Sequence, residues 1–201
     1  TDITFGFDSA VSIATEGIDR VHTTAQSHRR VMIVEVMGRR AGWIALYSGV
    51  AGGGDIILIP EIPYDINILS EKVRERNRKG KKCSIIVVAE GARPKGGDYV
   101  IQRIVKDSSD PIRLGGIGFI LGQEIEKRTR VETRTVVMGH LQRGGSPTAF
   151  DRILATKLGT KVVDMIEKEE FGFMVGVRGN AFVNVPLHNV ARGPKLVSLN
   201  D

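Results

Sequence analysis

The chain has 201 residues, 41% of them hydrophobic, enough for a packed core in one large domain or one and a half. Its single cysteine, Cys83, excludes a disulfide framework and a cysteine-built zinc site; a cytoplasmic location is expected, with no membrane or secretory segment. The net charge of +6 points to anionic partners, but much of the excess sits in RERNRKGKK (Arg74 to Lys82), which holds no aromatic residue, so small phosphorylated ligands fit better than nucleic acid.

Taken in chain order, FDSAVSIATEGIDRVHTTAQSH carries Phe7, Val11, Ala14, Ile18 and Val21 at helical spacing. RVMIVEVMG (Arg30 to Gly38) reads as a buried strand that only Glu35 interrupts. A short helix, WIALYSGVAGGG, closes on glycines. DIILIPE (Asp55 to Glu61) is a second buried strand, ILSEKVRERNRKG a charged amphipathic helix, and CSIIVVAEG (Cys83 to Gly91) a third strand. ARPKGGDY is expected to be an exposed, mobile loop. LGGIGFILGQEIEKRT follows as a helix and VETRTVVMG as a fourth strand. Strands that are apolar on both faces and alternate with helices predict an α/β fold, a Rossmann-like parallel sheet sandwiched by helices. After Gly145 the pattern changes to a helix over Thr148 to Glu169, then FMVGVRG and AFVNVPL around a Gly179-Asn180 hairpin signal.

Ligands of open parallel sheets bind at the carboxyl ends of the strands. Those ends carry Met37-Gly38-Arg39-Arg40, Pro60-Glu61, Glu90-Gly91, and His140 with Arg143. Arg30 and Arg134 sit elsewhere, near the start or middle of their strands. Arg39 and Arg143 offer fixed donors to phosphate oxygens, His140 can donate to another, and Glu90 can accept from sugar hydroxyls. Each residue also has a structural reading: a strand-end arginine caps carbonyls, a glutamate caps the next element, and Met37 is core. Their concurrence at one edge points to a sugar-phosphate pocket. Gly115-Gly116-x-Gly118 offers a rival, a dinucleotide loop of an oxidoreductase, but no tight strand–turn precedes it.

IVEVMGRRAGW (Ile33 to Trp43), Ala89-Glu90-Gly91 and ETRTVVMGHLQRGGSPTAFDRILA strongly resemble the phosphofructokinase family, over nearly the whole chain. The resemblance implies two facing α/β domains, one binding ATP or pyrophosphate with Mg2+, the other fructose 6-phosphate. Residues 1–142 resemble the fructose 6-phosphate-binding domain, and 143–201 a crossing helix and short strands that pack back on the donor-binding domain. Arg39 falls at the catalytic arginine; Met37, Gly38, Glu90, His140 and Arg143 fall at substrate contacts. Arg30 and Arg134 match arginines lent across a subunit interface to the 6-phosphate, which implies a homodimer or homotetramer. The family's donor loop and T-I-D-N-D aspartates would lie before Thr1, so the chain is expected to be a piece of a longer protein, inactive alone and holding no metal site of its own. An alternative is a non-catalytic sugar-phosphate sensor. His22 departs from the family's effector-site arginine, although Asp55, Lys81 and Lys82 match it, so allosteric regulation is not expected. GWIALYSGVAGGGDIILIPE is more similar to the actinobacterial and pyrophosphate-using branches.

Overall fold

The computed structural model describes residues 1–106 and 111–198; the last three residues assigned above to the 143–201 segment lie outside them. The chain separates into two compact units, Thr1–Ala10 with Gly144–Lys195, and Val11–Arg143 with Leu196–Asp201.

The larger unit is built on four parallel strands: β1 (Val31–Val36), β2 (Ile56–Leu58), β3 (Ser84–Ala89) and, later in the chain, β6 (Thr133–Val137), in the order β2-β3-β1-β6. β1 and β3 are buried at every position, which is why both read as continuous apolar runs. β1 is central, pairing Val36 with Ala89 on one side and Glu35 with Val137 on the other.

The pleat sends alternate residues of β1 into two cores. Met32, Val34 and Val36 pack with Ala14, Ile18, Val21 and Ala25 of α1 (Phe7–His28) and Ala45 of α2 (Trp43–Ala51). Val31 and Ile33 pack with Leu69 and Val73 of α3 (Ile66–Arg78) and with Ile117, Leu121 and Ile125 of α4 (Ile117–Thr129). The expected parallel sheet between two helical layers is therefore present.

Three local features differ from the sequence reading. α3 begins at Ile66, two residues earlier than the charged run suggests, because the Asp65 side chain accepts from the backbone N–H of Asn67 at 2.8 Å. α4 begins only at Ile117, since Gly115 and Gly116 hold φ of 145° and 87°. Before it lies an unexpected antiparallel pair, β4 (Ile101–Ile104) and β5 (Ile112–Leu114), whose first strand is exposed throughout.

In the smaller unit, α5 (Ala149–Glu167) starts at Thr148, whose hydroxyl accepts from the N–H of Asp151 at 3.3 Å. Asp151 is 2% exposed, and its Oδ2 accepts from the N–H and hydroxyl of Ser9 at 2.8 and 2.5 Å. The hydroxyl of Thr148 in turn donates to Asp8 at 2.6 Å. The first turns of α1 and α5 thus cap one another, which gives the TAFD stretch a structural task. β7 (Phe173–Arg178) and β8 (Ala181–Pro186) form the hairpin that Gly179-Asn180 signals, and α6 (Leu187–Val190) follows.

Candidate active site

The chain leaves β1 through Met37-Gly38-Arg39-Arg40, between the ends of β3 and β6. Arg39 is exposed and has φ of 52°, a left-handed conformation that a β-carbon disfavours. Two features hold it there. Glu90, one residue past β3, accepts at Oε1 from the N–H groups of Gly38 (3.2 Å) and Arg39 (2.8 Å). Behind Glu90, a β-carbon on Gly91 would lie 1.8 Å from the carbonyl oxygen of Arg39, so only glycine lets the loop settle this close.

The far end of the loop is also fixed. Gly42, which caps α2, donates its N–H to both oxygens of Glu61 at 3.0 and 3.1 Å. Oε1 of Glu61 further accepts from the N–H of Val197 at 3.0 Å. Beyond Glu90, the ARPKGGDY segment is tethered: Tyr64 donates its N–H to the Arg93 carbonyl (3.0 Å), and its own carbonyl accepts from Lys95 (2.7 Å). Burial pushes the Tyr64 hydroxyl above its ordinary pKa, with the charge of Glu124 adding to the effect. The ring of Tyr99 lies 5.9 Å from the Arg40 guanidinium and 5.5 Å from that of Arg93.

β6 ends in a 3-10 turn, Gly139–Arg143, that presents His140 and Arg143 to solvent and buries Gln142. Six of the eight sequence-derived site residues thus follow β1, β3 and β6 at one sheet edge, where neighbouring strands run about 4.8 Å apart. They are Met37, Gly38, Arg39, Glu90, His140 and Arg143.

Arg30 and Arg134 are at the opposite end, where β1 and β6 begin. Glu132 joins them, 3.3 Å from Arg30 and 2.5 Å from Arg134. Arg134 also lines a cavity of about 790 Å3 with Phe119, Gln123, Lys127, Arg130 and Glu132. One six-residue strand, roughly 20 Å long, separates this pair from Arg39.

Glu35, read only as an interruption, is 2% exposed and accepts from the N–H groups of Gly116 and Gly118, both at 2.8 Å. It is the anionic cap of α4. A β-carbon on Gly118 would meet Thr135 at 2.8 Å and Glu35 at 3.1 Å. The glycines that suggested a dinucleotide loop therefore seat the protein's own carboxylate. His22 Nε2 lies 2.7 Å from the Gly52 carbonyl oxygen, and Asp55 pairs with Arg76 at 2.5 Å while accepting from the N–H of Ile85. Among the described residues, no group of three or more His, Cys, Asp and Glu gathers to hold a metal ion, and no helix is long and apolar enough to cross a membrane.

Residues 1–166 match the family model Phosphofructokinase. The chain belongs to the phosphofructokinase family. It is 56% identical over 191 residues to ATP-dependent 6-phosphofructokinase 2 of Clostridium perfringens, covering 94% of this chain and 52% of that one. The pyrophosphate–fructose 6-phosphate 1-phosphotransferase of Streptomyces coelicolor is 55% identical over 187 residues, covering 93% and 54%. A solved phosphofructokinase from Saccharomyces cerevisiae superposes with a TM-score of 0.80 at 31% identity, over 96% of this chain and 24% of that one. The chain spans about half the length of the curated phosphofructokinases it matches. Relatives named for ATP and for pyrophosphate match almost equally, so similarity over this half carries no preference for either donor.

Sequence reasoning gave no role to Glu35, Glu61, Gly91 or Glu132. Each acts on a segment distant in the chain, and although Glu35, Gly91 and Glu132 lie inside the motifs that carry the family resemblance, the motifs do not say what these residues touch.

Proposed function

We propose that this chain is the fructose 6-phosphate-binding part of a 6-phosphofructokinase, a cytoplasmic glycolytic homo-oligomer. The C1 hydroxyl oxygen of the sugar bonds to the terminal phosphorus of ATP or pyrophosphate, and the bond from that phosphorus to the leaving oxygen breaks. The hydroxyl proton goes to an aspartate that precedes this chain. The observation that carries the reading is the Arg39 turn: an arginine whose backbone is fixed at the carboxyl edge of a parallel sheet, in a chain of this family.

Arg39 offsets the charge that develops on the phosphoryl group in transfer, an effect worth about 3 to 4 kcal/mol for one well-aimed donor. Met37 and Gly38 line the approach to C1. His140 donates to a substrate oxygen, and Arg143 holds the 6-phosphate with Arg30 and Arg134 of a neighbouring subunit. Glu90 orients the sugar hydroxyls: a carboxylate has about four lone-pair sites, and the two backbone N–H groups leave acceptor capacity for them. Mg2+ held on the donor side would neutralise phosphate charge; among the described residues of this chain no group of three or more His, Cys, Asp and Glu gathers to hold it, and this chain's contribution is that of its arginines. Of the 143–201 segment, the part up to Lys195 packs on the donor-binding domain, whereas Val197 stays with the sheet, where its N–H reaches Glu61.

The test is steady-state kinetics in the complete enzyme. Arg143→Ala mainly raises the KM for fructose 6-phosphate, whereas Arg39→Ala mainly lowers kcat. The reverse pattern refutes these roles. A coupled assay on the 201-residue chain alone is expected to show no turnover, and clear activity there refutes the placing of the base upstream.

A further inference from the structure

A left-handed arginine does not hold itself in place, and the segment Met37–Gly42 that carries it is short and exposed at its centre. Glu90 grips its first half through two N–H groups, and Glu61 grips its last residue through both carboxylate oxygens. Within the segment, the Ala41 N–H donates to the Gly38 carbonyl at 3.0 Å. Glu61 is half-buried and also takes the Val197 N–H, so a third piece of chain fixes its carboxylate. Gly42 leaves no slack: a β-carbon there would lie 2.4 Å from Ile59 and 2.8 Å from Glu61.

We propose that Glu61 is a positioning residue for Arg39: its carboxylate fixes the exit of the Met37–Gly42 loop, as Glu90 fixes the entry, and so sets where the guanidinium stands. This rests on the reading above, in which Arg39 acts on the phosphoryl group in transfer. Glu61 touches no substrate, and its effect reaches the chemistry only through that arginine. A rigid brace matters because a misplacement of about 1 Å costs roughly 100-fold in rate.

The experiment is a double-mutant cycle on kcat in the complete enzyme, with Glu61→Ala, Glu61→Gln, Arg39→Ala and the combinations. Glu61→Ala is expected to lower kcat roughly 10- to 100-fold, with the KM for fructose 6-phosphate within about twofold. Glu61→Gln, whose amide oxygen still accepts the Gly42 N–H, recovers all but about threefold. In the Arg39→Ala background neither Glu61 change lowers kcat further. An equal loss in both backgrounds, or an unchanged kcat in folded Glu61→Ala, overturns the proposal and leaves the role of Arg39 standing. An unchanged kcat in Arg39→Ala removes both. Should Glu61→Ala fail to fold, Glu61→Gln decides: a loss that needs Arg39 supports positioning, and one that does not, or none, refutes it.

Discussion

Gly91→Ala tests the geometry of the Arg39 turn without touching a charge. Gly91 is absent from the positive-φ glycines, so alanine can adopt its backbone conformation and the perturbation is purely steric. The added carbon would lie 1.8 Å from the Arg39 carbonyl oxygen and 2.9 Å from its carbonyl carbon. Real β-carbons essentially never approach within 3.0 Å, so the end of β3 and the Arg39 peptide must part by at least about 1.2 Å. That displacement acts on the residue whose guanidinium, on the function proposed above, meets a phosphoryl oxygen, and a shift of this size is then expected to cost about 100-fold in turnover, equivalent to roughly 2.7 kcal/mol of barrier. Stability falls by about 1 to 3 kcal/mol, as for other overpacked sites. Initial rates at saturating fructose 6-phosphate, beside urea denaturation of the same preparation, separate the two losses. A folded Gly91→Ala enzyme with kcat within about twofold of the parent, while Arg39→Ala is strongly impaired, refutes the claim that this contact fixes the arginine.

If Arg134 acts in the neighbouring subunit's site, mixing Arg39→Ala with Arg134→Ala subunits restores activity to about a quarter of the parent in a dimer, because half the dimers are hybrids with one intact site. Activity no higher than either variant alone refutes lending. Glu35→Ala strands the N–H groups of Gly116 and Gly118 and opens a hole under α4, with an expected loss of about 2 to 4 kcal/mol in chemical denaturation; a loss below about 1 kcal/mol refutes the capping role. Lys79, then Lys72, hold Glu75 at a pKa of about 2, against an ordinary 4.5. A lowered carboxylate pKa stabilises the fold fully above the ordinary value, and that contribution fades as pH falls from about 4.5 toward 2. An NMR titration shows this low midpoint rising with added salt; a salt-independent midpoint near the ordinary value refutes the pairing.

The sheet was legible because β1 and β3 are buried on both faces and so read as unbroken apolar runs. The β7–β8 hairpin was legible from Gly179-Asn180. The β4–β5 pair was not: every residue of β4 is exposed, and IQRI shows no side that must be hidden. At the site, the rule that ligands bind at strand ends picked out Arg39, Glu90, His140 and Arg143 from sequence. It also left Arg30 and Arg134 aside, and the structure puts them at the other end of β1 and β6. The roles of Glu35 and of Glu61, which the same rule placed at a strand end, escaped because a carboxylate that serves backbone N–H groups has no local signature. The Gly116 N–H that Glu35 accepts is 81 residues along the chain.

The three helices that begin after β1, β2 and β5 share an electrostatic history. α2 has Glu61 at its start, α3 has Asp65 and α4 has Glu35, so each positive helix pole is quenched by a carboxylate from the protein itself. Many phosphate-binding proteins leave such a pole bare and let the ligand fill it. Here those three resting places are already taken, so on the function proposed above an arriving phosphate meets side-chain cations rather than any of these helix poles. On that reading, discrimination between one phosphate and another passes to arginines, which can be moved or replaced one at a time without unmaking a helix.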